Sequence, residues 1–287
     1  MFLKKYWAQS PVRQVLACVF GVLLFTTLST TSHAKTEQVG GIYDISIAGF
    51  TVGRGTLSLV LQGSAYSAKV GMEPAGIGTL FSTGKGGAEA TGWLRGSRVL
   101  PSRYTMASTA ANRDFFVNLR QGSGHIRKAE VIPQFKPSKT RIKMTNRHKR
   151  NAVDPLSAAV IPVNSRSKVL DKSVCDRKLP IYDGWTRFDV ELEYKTTKTV
   201  SGRGYEGDVV VCKVKWTPVA GHRPERKNVK MLAAARDMEA WFAPVGSSSR
   251  VLIPYRISIP TSTGQLLIQA ERLDMVSSLN TASKTNN

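Results

Sequence analysis

From Tyr43 onward the chain runs in short alternating segments closed by glycine or proline, and few folds are open to a chain built this way. Tyr43, Ile45 and Ile47 alternate with Asp44 and Ser46. Gly53 and Gly55 follow, Thr56 to Leu61 makes the next run, Gln62, Gly63 and Ser64 close it, and Tyr66 to Met72 makes a third. The spacing predicts antiparallel strands joined by tight turns, opening as a β-meander. Further strands are expected at Glu89 to Leu94, Ser102 to Ser108, Arg113 to Gln121 and His125 to Ile132, and later at Arg187 to Lys195, Asp208 to Trp216, Met238 to Phe242, Val251 to Ile259 and Gly264 to Leu273. Val229 to Arg236 suits a strand or a helix equally. Pro74 and the surrounding glycines leave room for one helical turn around Ile77, Leu80 and Phe81. Asp154 and Pro155 form a helix start, an N-cap carboxylate followed by proline at the first helical position, which predicts a helix over Leu156 to Ile161, ended by Pro162.

So many strands in one sheet must curl or close. The expected fold is all-β and mainly antiparallel: a strongly curved sheet, half-barrel or β-spiral, with one short helical insertion. Its concave face would either pack a helix or hold an apolar ligand.

The first 34 residues read as an export signal. Lys4, Lys5 and Arg13 give a positive start, Val15 to Phe25 is a short apolar run, and Ser32, His33, Ala34 form a small-x-small cleavage site. The run is shorter than the roughly 20 apolar residues of a spanning helix. Cys18 precedes most of it, whereas a lipidated cysteine would follow it. The domain is therefore expected over residues 35–273, acting in the periplasm, with a polar, unstructured tail from Asp274 to Asn287.

The leader holds three of the 41 Lys and Arg residues and none of the 20 Asp and Glu, which leaves the remaining chain at +18. Such an excess attracts polyanions, and an exported address selects anionic lipid, lipopolysaccharide, acidic glycan or an envelope protein over nucleic acid. The charge concentrates between Lys136 and Arg150, where Lys136, Lys139, Arg141, Lys143, Arg147, Lys149 and Arg150 stand with no acidic residue until Asp154. The stretch reads as a mobile basic loop. It serves either as a contact for an anionic surface, including a peripheral membrane contact, or as a solvated edge whose lysines discourage sheet-to-sheet aggregation.

Cys175 and Cys212 remain after the leader, and an even count in an oxidising compartment points first to one disulfide. A reactive thiol beside His222 is the alternative. Other chemistry finds little support. Gly78 to Lys85 fails the phosphate-loop pattern, since Thr79 stands where its first glycine should and Gly86 where Ser or Thr should follow the lysine. His125, His148 and His222 are scattered, with no metal-ligand spacing, and no cofactor is expected. No Gly-x-Ser-x-Gly elbow occurs. Asp189, Glu191 and Glu193 share one strand face, an arrangement able to serve glycoside hydrolysis but more often a solvent face. Trp93, Trp185, Trp216 and Trp241 lie in or beside strands, where they could stack on sugars, and most of them are expected in the core.

Cys175-Asp176-Arg177, Tyr182-Asp183-Gly184 and Arg187-Phe188-Asp189 resemble the second half of the exported proteobacterial proteins grouped as domain of unknown function 3108. Gly40-Gly41-Ile42-Tyr43 with Gly53 and Gly55, Leu100 to Tyr104, Asp154 to Ser157, Val211 to Val214, Gly221-His222-Arg223, Trp241 to Val245, Leu252 to Ile257 and Gly264 are similar to other stretches of that family. The resemblance spans about residues 40–273. It implies a bent β-sheet of the kind seen in periplasmic lipoprotein and lipid carriers, a structural cysteine pair, and no assigned activity.

Overall fold

The computed structural model describes residues 36–80, 82–111, 113–136, 138–202, 205–245 and 250–278. The expected leader and cleavage site, and the tail beyond 278, lie outside the described residues.

Among the described residues fourteen strands form one sheet: β1 (Thr36–Ile47), β2 (Phe50–Gln62), β3 (Ala65–Pro74), β4 (Lys85–Arg95), β5 (Arg98–Ala110), β6 (Arg113–Gly122), β7 (His125–Ile132), β8 (Ile161–Pro162), β9 (Arg177–Tyr182), β10 (Arg187–Val200), β11 (Gly207–Ala220), β12 (Glu239–Val245), β13 (Val251–Thr261) and β14 (Gly264–Ser278). Their spatial order is β7-β6-β5-β4-β3-β2-β1-β14-β13-β12-β11-β10-β9, with β8 on β13. Two meanders are thus joined where the first strand pairs the last, Ile47 opposite Leu266 and Thr36 opposite Ser278. The sheet does not close by a β7–β9 ladder. Bulges at Ile42/Tyr43, Thr91/Gly92, Arg120/Gln121 and Trp241/Phe242 sharpen its twist and curl it.

The gap between the two edge strands is bridged by one short segment. Arg150 pairs with His125 of β7 and Val153 pairs with Ile181 of β9. The Val153 N–H donates to the Pro180 carbonyl at 2.9 Å, and the Tyr182 N–H donates back to Val153 at 2.9 Å.

The alternation read in the sequence becomes one continuous core. Leu59 and Leu61 of β2, Tyr66 and Ala68 of β3, Ala90 of β4, Tyr104 of β5, and Val117 and Leu119 of β6 meet Val209, Val211, Val245, Ile253 and Tyr255 from the second meander. Leu156 and Val160 stand among them, so the concave face packs a helix instead of enclosing a hollow. That helix, α1 (Pro155–Ala158), is shorter than expected. Ile161 and Pro162 leave it to pair Leu252 and Val251, the part of β13 that β14 does not cover. Val209 to Cys212 is buried at every residue because its other face carries a second cluster, in which Val210, Cys212, Phe242 and Leu252 are covered by Ile161, Val163, Val174 and Cys175.

The structure corrects other expectations as well. Residues 274–278, read as tail, continue β14, because the outer half of β1 supplies a partner register from Gly40 opposite Asp274 to Thr36 opposite Ser278. Lys227–Ala234 resolves as helix α2. One turn of 3-10 helix occupies Gly76–Leu80, as the glycine-rich stretch suggested. None of the four tryptophans is fully buried, and Trp93 is 53% exposed. Among the described residues no helix is long and apolar enough to cross a membrane.

Candidate functional site

Cys175 and Cys212 are joined as a disulfide, with Cα atoms 5.5 Å apart and both residues fully buried. The bridge ties the segment that covers the second cluster to the middle of β11. It leaves no thiol for the alternative beside His222.

A polar knot sits inside the sheet around α1. Asp154, fully buried, caps the helix by accepting from the Ser157 N–H at 2.8 Å and the Ser157 hydroxyl at 2.6 Å, and it also accepts from Gln121 Nε2 at 2.7 Å. The Ser157 proton being committed, the Tyr66 hydroxyl donates to Ser157 Oγ at 2.7 Å. Burial raises the Asp154 carboxyl above the usual carboxylate range, its three hydrogen bonds opposing the shift. This knot orients α1.

Two tight turns build the surface where the basic residues gather. Asp183 folds the β9–β10 connection by accepting from the N–H groups of Trp185 at 2.8 Å and Thr186 at 2.6 Å. Gly184 has φ +103°, and a Cβ there would lie 2.9 Å from both methyls of Val117. After β11, Gly221 has φ +80°, and a Cβ would approach the Trp185 carbonyl oxygen to 2.3 Å. Only glycine lets these turns pack on β6 and on each other. The indole N–H of Trp185 donates to the Pro133 carbonyl at 2.9 Å, and its ring lies 6.1 Å from Phe115 and 6.4 Å from Phe135, centroid to centroid.

The basic segment is fastened across these turns, contrary to the mobile loop expected. The Ile142 N–H donates to His222 at 3.0 Å and the Gly221 N–H to Ile142 at 2.8 Å. The Arg141 guanidinium stacks 3.6 Å over the Phe135 ring and donates to the Gly221 carbonyl. The result is a cleft of about 730 Å³ lined by Lys136, Lys139, Arg141, Lys143 and Lys149, with Phe135, Tyr182 and Trp185 as its aromatic walls and no carboxylate on its lining. Among the described residues none of these five cations forms an ion pair. Arg147 and Arg150 fall outside the lining; Arg150 pairs His125 through its backbone. Lys149 Nζ lies 5.9 Å from the centre of the Tyr182 ring.

Behind the cleft a second guanidinium, Arg223, stands beside Arg141. Partial burial and the neighbouring Arg223 both lower the Arg141 pKa, and Arg141 Nε, Arg223 Nε and His222 Nε2 are buried without hydrogen-bond partners. His222 stands edge-on to Trp216, 5.0 Å between centroids, and desolvation lowers its pKa, with Asp183 opposing. An anion entering here would meet the Nε–H groups of Arg141 and Arg223, while His222 is held neutral beside Asp183. Sequence reasoning located the cations but not Phe135, Tyr182 and Trp185 beside them. The only signal for these was that Tyr182-Asp183-Gly184 and Gly221-His222-Arg223 both belonged to the family resemblance.

The carboxylate row on β10 is matched by cations. Asp189 meets Arg187 at 2.6 Å and Lys178 at 3.1 Å, Glu191 meets Lys178 at 2.9 Å and Lys215 at 3.4 Å, and Glu193 meets Lys213 at 3.5 Å. Lys178 and Lys215 lower the Glu191 pKa, the opposite of what a general acid needs. Asp189 is buried, so the row is not purely a solvent face. Among the described residues no three His, Cys, Asp or Glu side chains gather as a metal site.

Residues 42–271 match the family described as "Protein of unknown function (DUF3108)". The chain belongs to that family. Within the matched range, Asp154 caps the helix in the polar knot, and the Asp183-Gly184 and Gly221 turns meet behind the cleft. No curated protein matches the chain. Among solved structures it is similar to a β-barrel-like protein of domain of unknown function DUF1849 from Brucella abortus, at 8% identity and a TM-score of 0.46, over 85% of this chain and 99% of that one.

Proposed function

We propose that this DUF3108 protein is a non-catalytic periplasmic protein that binds an anionic component of the cell envelope, a lipid, lipopolysaccharide or lipoprotein, at the basic cleft. The observation that carries the reading is the convergence of Lys136, Lys139, Arg141, Lys143 and Lys149 on the aromatic walls Phe135 and Trp185, with no carboxylate among them. Cations supply attraction to phosphate or carboxylate groups, and the rings supply apolar contact for the rest of an amphiphile. The export-type leader and the buried disulfide support the periplasmic address. The ion-paired carboxylates on β10 support a binding role over hydrolysis.

Because side chains and α1 fill the concave face, the ligand is held at the surface and not within the sheet. The same filled core favours a second reading, a scaffold that contacts envelope proteins without a small ligand. Native mass spectrometry of the protein taken from its own periplasm separates them. Retained anionic lipid or glycolipid that is lost from a Lys139→Glu/Lys143→Glu variant supports binding at the cleft. A clean apo mass with captured protein partners supports the scaffold instead.

A further inference from the structure

Ten large hydrophobic side chains are exposed among the described residues, and seven of them stand at one end of the sheet. The register fixes this end. Ile47 opposite Phe50 closes β1–β2, Gly53 opposite Pro74 brings the Gly76–Leu80 turn beside it, Lys85 opposite Thr109 and Ala110 opposite Arg113 carry it across β4 to β6, and Phe116 opposite Ile132 ends at β7. On these tips Phe50 is 61%, Leu80 77% and Ile132 52% exposed, with Ile77, Phe135 and Ile142 also outward and Met72 just behind. Among the described residues the opposite end, with the turns at Gly63 and Gly96, shows Trp93 and Met275.

Apolar groups held on hairpin tips form no single groove for a peptide, and they are accompanied by charge. Exposed Lys85, Arg113, Lys136, Lys139 and Lys143 stand around them, against exposed Glu73 and Asp114. Several projecting apolar tips within a cationic ring match an interface that is oily beneath and negative on top. The Gly76–Leu80 turn is held firmly enough to present its side chains: the Ala75 N–H donates to Val52 at 3.2 Å, and Gly78 packs so tightly that a Cβ would fall 1.8 Å from the Val52 oxygen.

We infer that this end of the sheet docks on the surface of an anionic lipid bilayer, Phe50, Ile77 and Leu80 entering the interface while Lys136, Lys139 and Lys143 meet the headgroups. The inference rests on the reading of the cleft as an anion site and adds an orientation to it: the cleft opens at the membrane face, where a lipid headgroup reaches it without the protein extracting the whole molecule.

The test is co-sedimentation of the leader-free protein with vesicles of phosphatidylcholine alone and with phosphatidylglycerol added. Binding is expected only with the anionic lipid. Neutralising each of Lys136, Lys139 and Lys143 to Gln should weaken partitioning about fivefold, and Phe50→Ser/Leu80→Ser should weaken it by on the order of tenfold or more, with unfolding midpoints confirming that the variants fold. A Leu80→Trp variant should be quenched by brominated acyl chains. Vesicle binding lost in the lysine variants but untouched in Phe50→Ser/Leu80→Ser, or no quenching at position 80, overturns insertion while leaving the cleft reading intact. Retention of lipid in native mass spectra with no vesicle binding does the same. Concentration-dependent dimers abolished by Phe50→Ser/Leu80→Ser would assign these tips to a second copy of the chain and overturn the bilayer.

Discussion

Asp154 offers the sharpest test of how the helical segment is held inside the sheet. Removing its carboxylate by Asp154→Ala strips an N-cap, worth about 1 kcal/mol, and leaves the buried Ser157 hydroxyl and the part-buried Gln121 Nε2 without their acceptor. Each stranded polar group costs about 1–3 kcal/mol. Against this stands relief from burying a carboxylate that has no cation partner among the described residues, the source of its raised pKa. We expect a net loss of about 3 kcal/mol for Asp154→Ala, measured as a fall in the urea midpoint at pH 7 with unchanged m-value. Asp154→Asn keeps the shape and an acceptor for the Ser157 N–H; once the Gln121 amide turns over, its Oε1, which now lacks a partner, accepts from the Asn amide, and the Ser157 hydroxyl turns to donate to the Tyr66 oxygen. That variant should stay within about 1 kcal/mol of the parent. The pH dependence follows from the sign of the shift. The folded carboxyl binds its proton more tightly than the unfolded one, so its contribution is greatest below the unfolded pKa of about 3.9 and is lost as pH rises through the folded value. Acidification from neutrality should therefore favour the parent over Asp154→Asn. Equal losses in the Ala and Asn variants, or an Ala variant within 1 kcal/mol of the parent, would refute the account of the knot.

Other consequences can be checked as directly. Replacing both Cys175 and Cys212 by Ser opens a 37-residue separation and should cost about 4 kcal/mol in the denaturation midpoint; untreated protein should resist alkylation at both positions until unfolded and reduced. Gly184→Ala should destabilise by about 2 kcal/mol, from strain at positive φ and contact with Val117; Val117→Ala in the same chain should recover the contact part only, read as a double-mutant cycle. His222, held neutral by desolvation, should titrate below 6.5 by NMR. Its contribution to stability is present above that value and declines as pH falls through the lowered folded pKa, so a titration midpoint above 7 would contradict its placement.

Much of the architecture was legible because strand periodicity is local. Leu59 and Leu61, or Val117 and Leu119, declare a buried face whatever lies opposite. The Asp154-Pro155 start was equally plain, since capping is a contact between neighbours. The end of that helix was not: the first local stop is Pro162, but Ile161 already pairs Leu252 of β13, a partner far away in sequence. Asp274 to Ser278 looked structureless for a related reason. Its side chains carry no apolar pattern, and it is a strand because β1 runs past it and needs partners for its backbone.

The candidate site divides in the same way. Lys136 to Arg150 stands out as a charge run, but charge says nothing about where a loop is fastened. Its anchors, the Gly221 and His222 backbone and the Phe135 ring under Arg141, come from a turn beyond β11 and from the end of β7.

By itself, then, the order of residues determined an antiparallel curled sheet, a first choice of Cys175 and Cys212 as partners and a strongly basic composition, because alternation, capping and charge act over a few neighbours or over none in particular. Only the folded chain decided that α1 fills the concave face, that five cations open on aromatic walls, and that the exposed apolar tips share one end. Those outcomes depend on which distant strands lie side by side, and side-by-side placement is set by the packing of the whole sheet and not by any segment of it.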